Sequence, residues 1–213
     1  MTALATRLAQ GITTLKLNLP TQTQHQLLTY LSLLEKWNRT HNLTAIRTST
    51  QMLDLHLLDS LVILPLLQQL TPGPRLLDLG SGAGLPGIII AIAAPHYHLG
   101  LLDANSKKCR FLTHVKIQLG LPNVEVINQR AKKHHPTKPY DLILTRAFAS
   151  LPDMTDNSRH LLQPQGRFLA MKGQYPATEI AQLNTDYRLM GVHRLHPPNP
   201  HQERHLIDIA FKK

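Results

Sequence analysis

The stretch Leu76-Leu77-Asp78-Leu79-Gly80-Ser81-Gly82-Ala83-Gly84-Leu85-Pro86-Gly87 constrains this chain more than any other. A short apolar run, read as a buried strand, meets an acidic residue and then breaks into four glycines within eight positions. Glycine has no Cβ and tolerates positive φ, so such a loop can turn sharply and let a ligand lie against its backbone. The run from Gly87 to Ala94 then reads as a helix packed on the sheet, its N-terminus aimed at the loop. Free amides and the positive end of a helix dipole suit a carboxylate or phosphate. The pattern predicts a nucleotide-type cofactor loop.

Two cofactors fit such a loop. Gly82 to Gly87 spells G-x-G-x-x-G, with Asp103 at a spacing suited to a ribose, as in dinucleotide-binding units. In that fingerprint the first glycine follows the strand directly. Gly80 holds that place here, and counting from it puts Leu85 in the third glycine slot. The phase D-x-G-x-G-x-G, starting at Asp78, fits better and is the first motif of S-adenosylmethionine (AdoMet) methyltransferases. There the turn lets the backbone approach the methionine end of the cofactor, and the acidic residue anchors the loop or its waters. A glycine turn with a structural role only is the bland alternative.

The rest of the chain organises around this loop. Residues 1–70 read as a helical extension: a first helix from Thr2 to Gln10, a second opened by Pro20-Thr21 with Leu27, Leu28, Leu31 and Leu34 at helical spacing, and a third from about Ser49. Pro72-Gly73-Pro74 marks a boundary, and residues 71–213 alternate strand and helix, predicting a parallel doubly wound sheet. Strands are expected at Leu99 to Leu102, Val124 to Asn128, Tyr140 to Thr145 and Arg167 to Met171. Asn105 or Ser106 caps the helix after the second strand, and Gly120 with Pro122 ends it. Tyr187 to Leu195 and His205 to Phe211 read as a C-terminal antiparallel pair joined across Pro197-Pro198-Asn199-Pro200, a feature of methyltransferases that nicotinamide-binding domains usually lack. The fold class is α/β, a Rossmann-like sheet with an N-terminal helical extension.

Charge and composition narrow the partners. The net charge of +10 is uneven: residues 1–70 carry 5 basic and 3 acidic side chains, whereas Lys107, Lys108, Arg110, Lys116, Arg130, Lys132, Lys133 and Lys138 mass later in the chain. Such an excess suits a polyanion, because lysine and arginine displace counterions from phosphates; solvated lysines kept for solubility are the alternative. Aromatics make up 5% of the chain, too few for a broad base-stacking platform. The apolar segments Leu57 to Leu67 and Ile88 to Ala94 are short for a membrane span, and no basic-then-apolar leader opens the chain, so a cytosolic protein is expected. The single cysteine, Cys109, excludes an intrachain disulfide and a cysteine zinc cage, and its helix position reads as core. His134-His135 reads as surface, without metal-ligand spacing.

The reaction class is bounded by what is missing. The sequence contains no Gly-x-Ser-x-Gly elbow, Walker loop or HExxH helix. After the fourth strand it has neither an Asn/Asp-Pro-Pro-aromatic motif to grip an exocyclic amine nor a Pro-Cys pair to attack a pyrimidine. A ring nitrogen such as guanine N7 needs neither, since its lone pair is free at neutral pH and alignment with the methyl suffices.

Several segments together resemble one family: Glu35-Lys36-Trp37-Asn38, Asn42-Leu43-Thr44, His56 to Ser60, Gly80 to Gly87, Thr145-Arg146-Ala147-Phe148-Ala149, Lys172-Gly173-Gln174 and Glu203-Arg204-His205-Leu206. They run nearly the full length of the chain and resemble the ribosomal RNA small subunit methyltransferase G family, also called glucose-inhibited division protein B. The resemblance implies AdoMet-dependent N7 methylation of a guanine in 16S rRNA of the small ribosomal subunit or its assembly intermediate, leaving S-adenosylhomocysteine, by a monomer without a membrane partner. Carried over by position, the cofactor contacts fall on Gly80, Leu85, Ala131, Lys132 and Arg146; Asp103 is added from the ribose argument. No residue is assigned as catalytic. Similar chains commonly carry an acidic residue at Lys132 and often another at Lys133, so a contact there is expected through backbone amides. Arg146 could reach the methionine carboxylate or a target phosphate, or pair with Asp78 or Asp103. Arg130, Lys172 and Arg204 are candidates for RNA backbone contacts, His56 with Asp59 for holding the helices on the sheet, and Trp37 for the core. A non-catalytic rRNA-binding or assembly factor and an NAD(P)-dependent oxidoreductase are the alternative functions.

Overall fold

The computed structural model describes residues 3–70, 73–146, 150–199 and 201–212. Thr2, Pro72, the segment Ala147-Phe148-Ala149 and Pro200, to which parts of the sequence reading refer, lie outside the described residues.

The sheet follows from the alternation of its strands. In β1 (Arg75–Leu79), Leu76 and Leu77 point to opposite faces, because successive strand side chains alternate. Leu76 joins a core layer with Leu99, Leu101, Leu142, Leu144 and Leu169. Leu77 and Leu79 join a second layer with Leu102, Ile143, Phe168 and Ile207. Both faces are therefore covered, as parallel sheets require. The strands β2 (His98–Asp103), β3 (Val124–Asn128), β4 (Tyr140–Thr145), β5 (Leu162–Lys172), β6 (Tyr187–Leu195) and β7 (Arg204–Phe211) complete one seven-stranded sheet of order β3-β2-β1-β4-β5-β7-β6. β7 runs antiparallel to β5 and β6 antiparallel to β7, so the expected terminal pair is present. β5 begins five residues before the expected Arg167. Gln163-Pro164-Gln165-Gly166 lacks alternation and reads as a turn, yet Leu162 pairs with Tyr140 beyond a register shift.

Helices α1 (Ala3–Thr14), α2 (Thr21–His41) and α3 (Ser49–Leu70) form the N-terminal extension. Their Leu8, Leu27, Leu31, Leu57 and Leu61 are buried in the same core layer as Ile88, Ile89 and Phe111 of the helices that follow β1 and β2. Each fully buried leucine contributes about 2 kcal/mol of hydrophobic stabilisation. α3 is longer than the apolar run Leu57 to Leu67 suggests. Its 22 residues contain an 18-residue window of mean hydropathy 1.3, the length and composition of a membrane span, but 67% of that window is buried inside the protein. Its middle, Leu53–Leu58, widens into a π-helix that turns His56 and Asp59 toward the sheet. In the same layer, α4 (Gly87–Ala93) is a seven-residue helix rich in isoleucine. So short a helix with β-branched side chains owes its existence to packing, not propensity. α5 (Ser106–Leu119) is capped by the Asn105 side chain, which accepts from the Lys107 and Lys108 amides, and ends at Gly120 in the left-handed region. α6 (Leu151–Ser158) and α7 (Ala177–Ala181) lie after β4 and β5, with Leu151 and Met154 of α6 in the second core layer.

One buried carboxylate ties the extension to the sheet. Asp59 is fully buried and accepts from Arg146 Nη1 at 3.2 Å, Arg204 Nε at 2.7 Å and Gln202 Nε2 at 2.7 Å. Arg146 Nη1 also donates to the Leu55 carbonyl at 3.0 Å. Arg146 thus pairs with Asp59 and not with Asp78 or Asp103, because α3 brings a fully buried carboxylate to the end of β4. Beside this cluster His56 Nε2 meets Thr44 Oγ1 at 2.8 Å and Nδ1 meets the Leu55 carbonyl at 3.0 Å. Burial and the nearby Arg146 guanidinium push the His56 pKa down from 6.5 to about 4, so the ring is neutral at pH 7.

Two outcomes follow for stability. Asp59→Ala leaves two guanidiniums without their carboxylate and is expected to cost about 3 kcal/mol in chemical denaturation. An unchanged midpoint would show that the cluster holds nothing. The unfolded chain protonates His56 near pH 6.5 whereas the native chain does so near 4. The His56 contribution is therefore full above pH 6.5 and is lost as pH falls through about 4, by about 3 kcal/mol. Denaturation of the wild type and His56→Gln across pH 4–7 is expected to show a stability difference that shrinks toward acid by about that amount.

Candidate cofactor and active site

The loop after β1 is the site's foundation. Gly80 follows the strand directly with φ of 73°, a conformation that side-chain-bearing residues rarely adopt. Farther along, a Cβ on Gly87 would lie 2.4 Å from Leu101 Cδ2 and 2.7 Å from Asp78 Oδ2, so only glycine lets α4 approach the sheet this closely. Three side chains from three elements brace the loop. Asp78 Oδ2 of β1 accepts from the Gly87 amide at 2.9 Å, and Asp103 Oδ2 of β2 accepts from the Gly82 amide at 2.9 Å. Tyr30 of α2 donates its hydroxyl to the Ala83 carbonyl at 2.8 Å, and burial pushes the Tyr30 pKa up, keeping that proton in place.

Alongside the loop, at the carboxyl ends of β1, β2 and β3, lies a cleft of about 600 Å³ lined by Gly80, Leu102, Asp103, Ala104, Gln129 to Lys133 and Asn157. This is where open α/β sheets receive their ligands. Four of the six residues singled out in the sequence, Gly80, Asp103, Ala131 and Lys132, meet on its wall. Ala131 and Lys132 belong to a short 3₁₀ turn, Ala131–Lys133, that follows β3. Leu85 and Arg146 are not on that wall. Leu85 is packed in the core, and Arg146 is held at the end of β4 by Asp59.

The chemistry of the wall suits a nucleoside. Asp103 Oδ1 accepts from the Asn105 amide at 2.8 Å while Oδ2 holds Gly82, which fixes the carboxylate in one orientation. Each oxygen keeps a second lone pair for a ribose hydroxyl. Asp78 is fully buried, and its Oδ1 has no hydrogen-bond partner among the described residues. Burial pushes this carboxyl up to about 7, against the opposing pull of the Gly87 amide and Arg146. An orphaned acceptor under the loop is what a cofactor amino group, or water held by one, would satisfy. The donors and acceptors present therefore fit AdoMet.

The rim is basic. Arg130, Lys132 and Lys133, which line the cleft, are exposed and form no ion pair among the described residues, and Lys108 Nζ stands 4.0 Å from Asp103 Oδ2. The other cations considered for RNA are engaged: Lys172 pairs with Glu179 at 2.8 Å and Arg204 with Asp59 at 2.7 Å. Trp37 is half-buried with its ring 5.5 Å from Phe111 and 5.3 Å from His114, and Cys109 is buried. Sequence reasoning misses Tyr30 and Asn157. Asn157 reaches the cleft from α6, far along the chain from Asp103, and no spacing rule connects the two. Tyr30 sits in a leucine-rich helical pattern where an aromatic reads as core, with no sign that its hydroxyl finds the loop.

A family model for rRNA small subunit methyltransferase G matches residues 23–207. The ribosomal RNA small subunit methyltransferase G of Marinomonas sp. (strain MWYL1) is 47% identical over 191 residues, covering 90% of this chain and 90% of its own. That of Aromatoleum aromaticum is 46% identical over 207 residues, covering 95% and 97%. Among solved structures, TrmN from Thermus thermophilus aligns with TM-score 0.58 at 19% identity, over 72% of this chain and 49% of its own. A SAM-dependent methyltransferase from Aquifex aeolicus aligns with TM-score 0.56 at 17% identity, over 75% and 92%. These structural likenesses carry the fold, and the sequence matches carry the lineage. The chain belongs to the rRNA small subunit methyltransferase G (GidB) family.

Proposed function

We propose that this chain transfers a methyl group from AdoMet to N7 of a guanine in 16S rRNA, acting as a cytoplasmic monomer on the small ribosomal subunit or its assembly intermediate. The observation that carries the reading is the meeting of Gly80, Asp103, Ala131 and Lys132 on one cleft beside a braced glycine loop, in a chain of this family. When bound, AdoMet supplies an electrophilic methyl on a positive sulfonium. Asp103 would accept from the ribose hydroxyls, and the backbone of Ala131 and Lys132 would border the adenine. Gly80 leaves its part of the wall free of side chain. Leu85 backs the loop from the core. Arg146, held at the end of β4 by Asp59 and off the cleft wall, would have only the N–H groups outside that pair to offer a methionine carboxylate. Guanine N7 has its lone pair free at neutral pH, so what the protein must provide is alignment and exclusion of water, not a base. The cations Arg130, Lys132 and Lys133 on the rim, which form no ion pair among the described residues, support a phosphate-rich partner.

Titration calorimetry with AdoMet, S-adenosylhomocysteine and NADH tests the cofactor. Both sulfur nucleosides are expected to bind and NADH not to. Gly80→Arg is expected to abolish the heat and Asp103→Ala to weaken binding at least about tenfold, since a hydrogen bond to a charged group contributes about 1.5–3 kcal/mol. Binding of NADH alone would sink the methyltransferase reading. For the RNA, affinity measured against salt is expected to fall steeply. Lys132→Ala with Lys133→Ala should reduce the log–log slope by about 0.7–0.9 for each phosphate these lysines no longer neutralise. N7-methylguanine should appear in 16S rRNA incubated with enzyme and AdoMet; its absence, or methylation at another atom, would refute the assignment.

A further inference from the structure

The sheet order divides the carboxyl edge into two halves. The cleft occupies the ends of β1, β2 and β3, while the ends of β4 and β5 and the start of β7 form the other half. An acceptor base must approach over this second half, because the first is taken by the nucleoside of the cofactor. The arginines and the lysine there are engaged: Arg146 and Arg204 with Asp59, Lys172 with Glu179. Glu203 stays half exposed, 3.8 Å from His205 Nε2. Among the described residues the exposed large hydrophobic side chain on this half is Tyr175, in the turn between β5 and α7, with 55% of its surface in solvent. Among the described residues the other large exposed hydrophobics, Ile117, Leu189 and Met190, are aliphatic and lie on α5 and β6.

Tyr175 is held in place and surrounded by groups that suit a nucleobase. Its carbonyl accepts from the Ala177 amide at 3.1 Å. Its ring makes an edge-to-face contact with His205, centroids 5.9 Å apart at 78°. The Arg204 guanidinium lies against the same turn, 3.4 Å from where a Cβ on Gly173 would sit. An exposed, oriented aromatic is what receives an unstacked base in RNA recognition, the ring taking the base face.

Resting on the reading of an RNA substrate, we propose that Tyr175 is a base-stacking residue that binds the RNA on the acceptor side of the methyl donor. Small ribosomal subunits from cells lacking the enzyme, with radiolabelled AdoMet, provide the test. Tyr175→Ala is expected to raise KM for the subunit about tenfold, as loss of one base stack does, while calorimetric AdoMet affinity stays that of the wild type. Tyr175→Phe keeps most of the subunit affinity, whereas Tyr175→Leu loses it as alanine does, because leucine offers apolar area without a π face. Leu189→Ala, on β6, is the control for removing exposed apolar surface. Equal KM values for wild type and Tyr175→Ala would overturn the proposal, as would leucine matching phenylalanine. If the wild type methylates no subunit, the RNA reading fails and this inference falls with it.

Discussion

Asp59 is the point on which the arrangement of this molecule turns. A fully buried carboxylate needs several donors to offset its desolvation, and these come from β4, from the segment before β7 and from β7 itself. The three segments are 87 to 145 residues away in the chain. Hydrophobic burial brings α3 against the sheet, but burial is non-directional. The carboxylate gives direction: it fixes which part of α3 faces the end of β4 and so where the Arg146 guanidinium stands. The π-helix Leu53–Leu58 lies immediately before Asp59, and π-turns inside helices often mark functional places.

The cofactor loop is built by similar means at smaller scale. Two carboxylates hold amides of the loop from below, and both have further capacity: Asp103 through its second lone pairs, Asp78 through an oxygen that has no partner among the described residues. The cleft is thus shaped before any ligand arrives, which lowers the ordering cost of binding. Its basic rim and the exposed Tyr175 lie on opposite halves of the same edge, so a polyanion that touches both crosses the site where transfer would occur.

Much of this is legible in the sequence where information is local. The glycine phase counted from Asp78, the strands at Val124 to Asn128 and Tyr140 to Thr145, the Asn105 cap and the Gly120 stop all depend on neighbours within a few residues, and the structure places each as expected. The start of β5 is hidden because Gln163 to Gly166 lie in the register shift, and the pair that begins the strand, Leu162 with Tyr140, is made on β4. Arg146 falls at the right edge of the sheet, but its acidic partner is expected among Asp78 and Asp103, the acidic residues of the cofactor strands. No periodicity announces that Asp59, in a helix of the extension, reaches it first. Asn157 and Tyr30 are illegible for the same reason: each acts across a tertiary contact with no sequence spacing.

The hydrogen bond from Tyr30 to Ala83 carries a consequence for how the molecule responds to its ligands. It makes the extension and the cofactor loop parts of one equilibrium, since α2 holds the loop carbonyl across 53 positions of sequence. Linkage is reciprocal: a ligand that tightens the loop strengthens the seating of α2, and a partner that grips α2 alters the loop's hold on its ligand by the same factor.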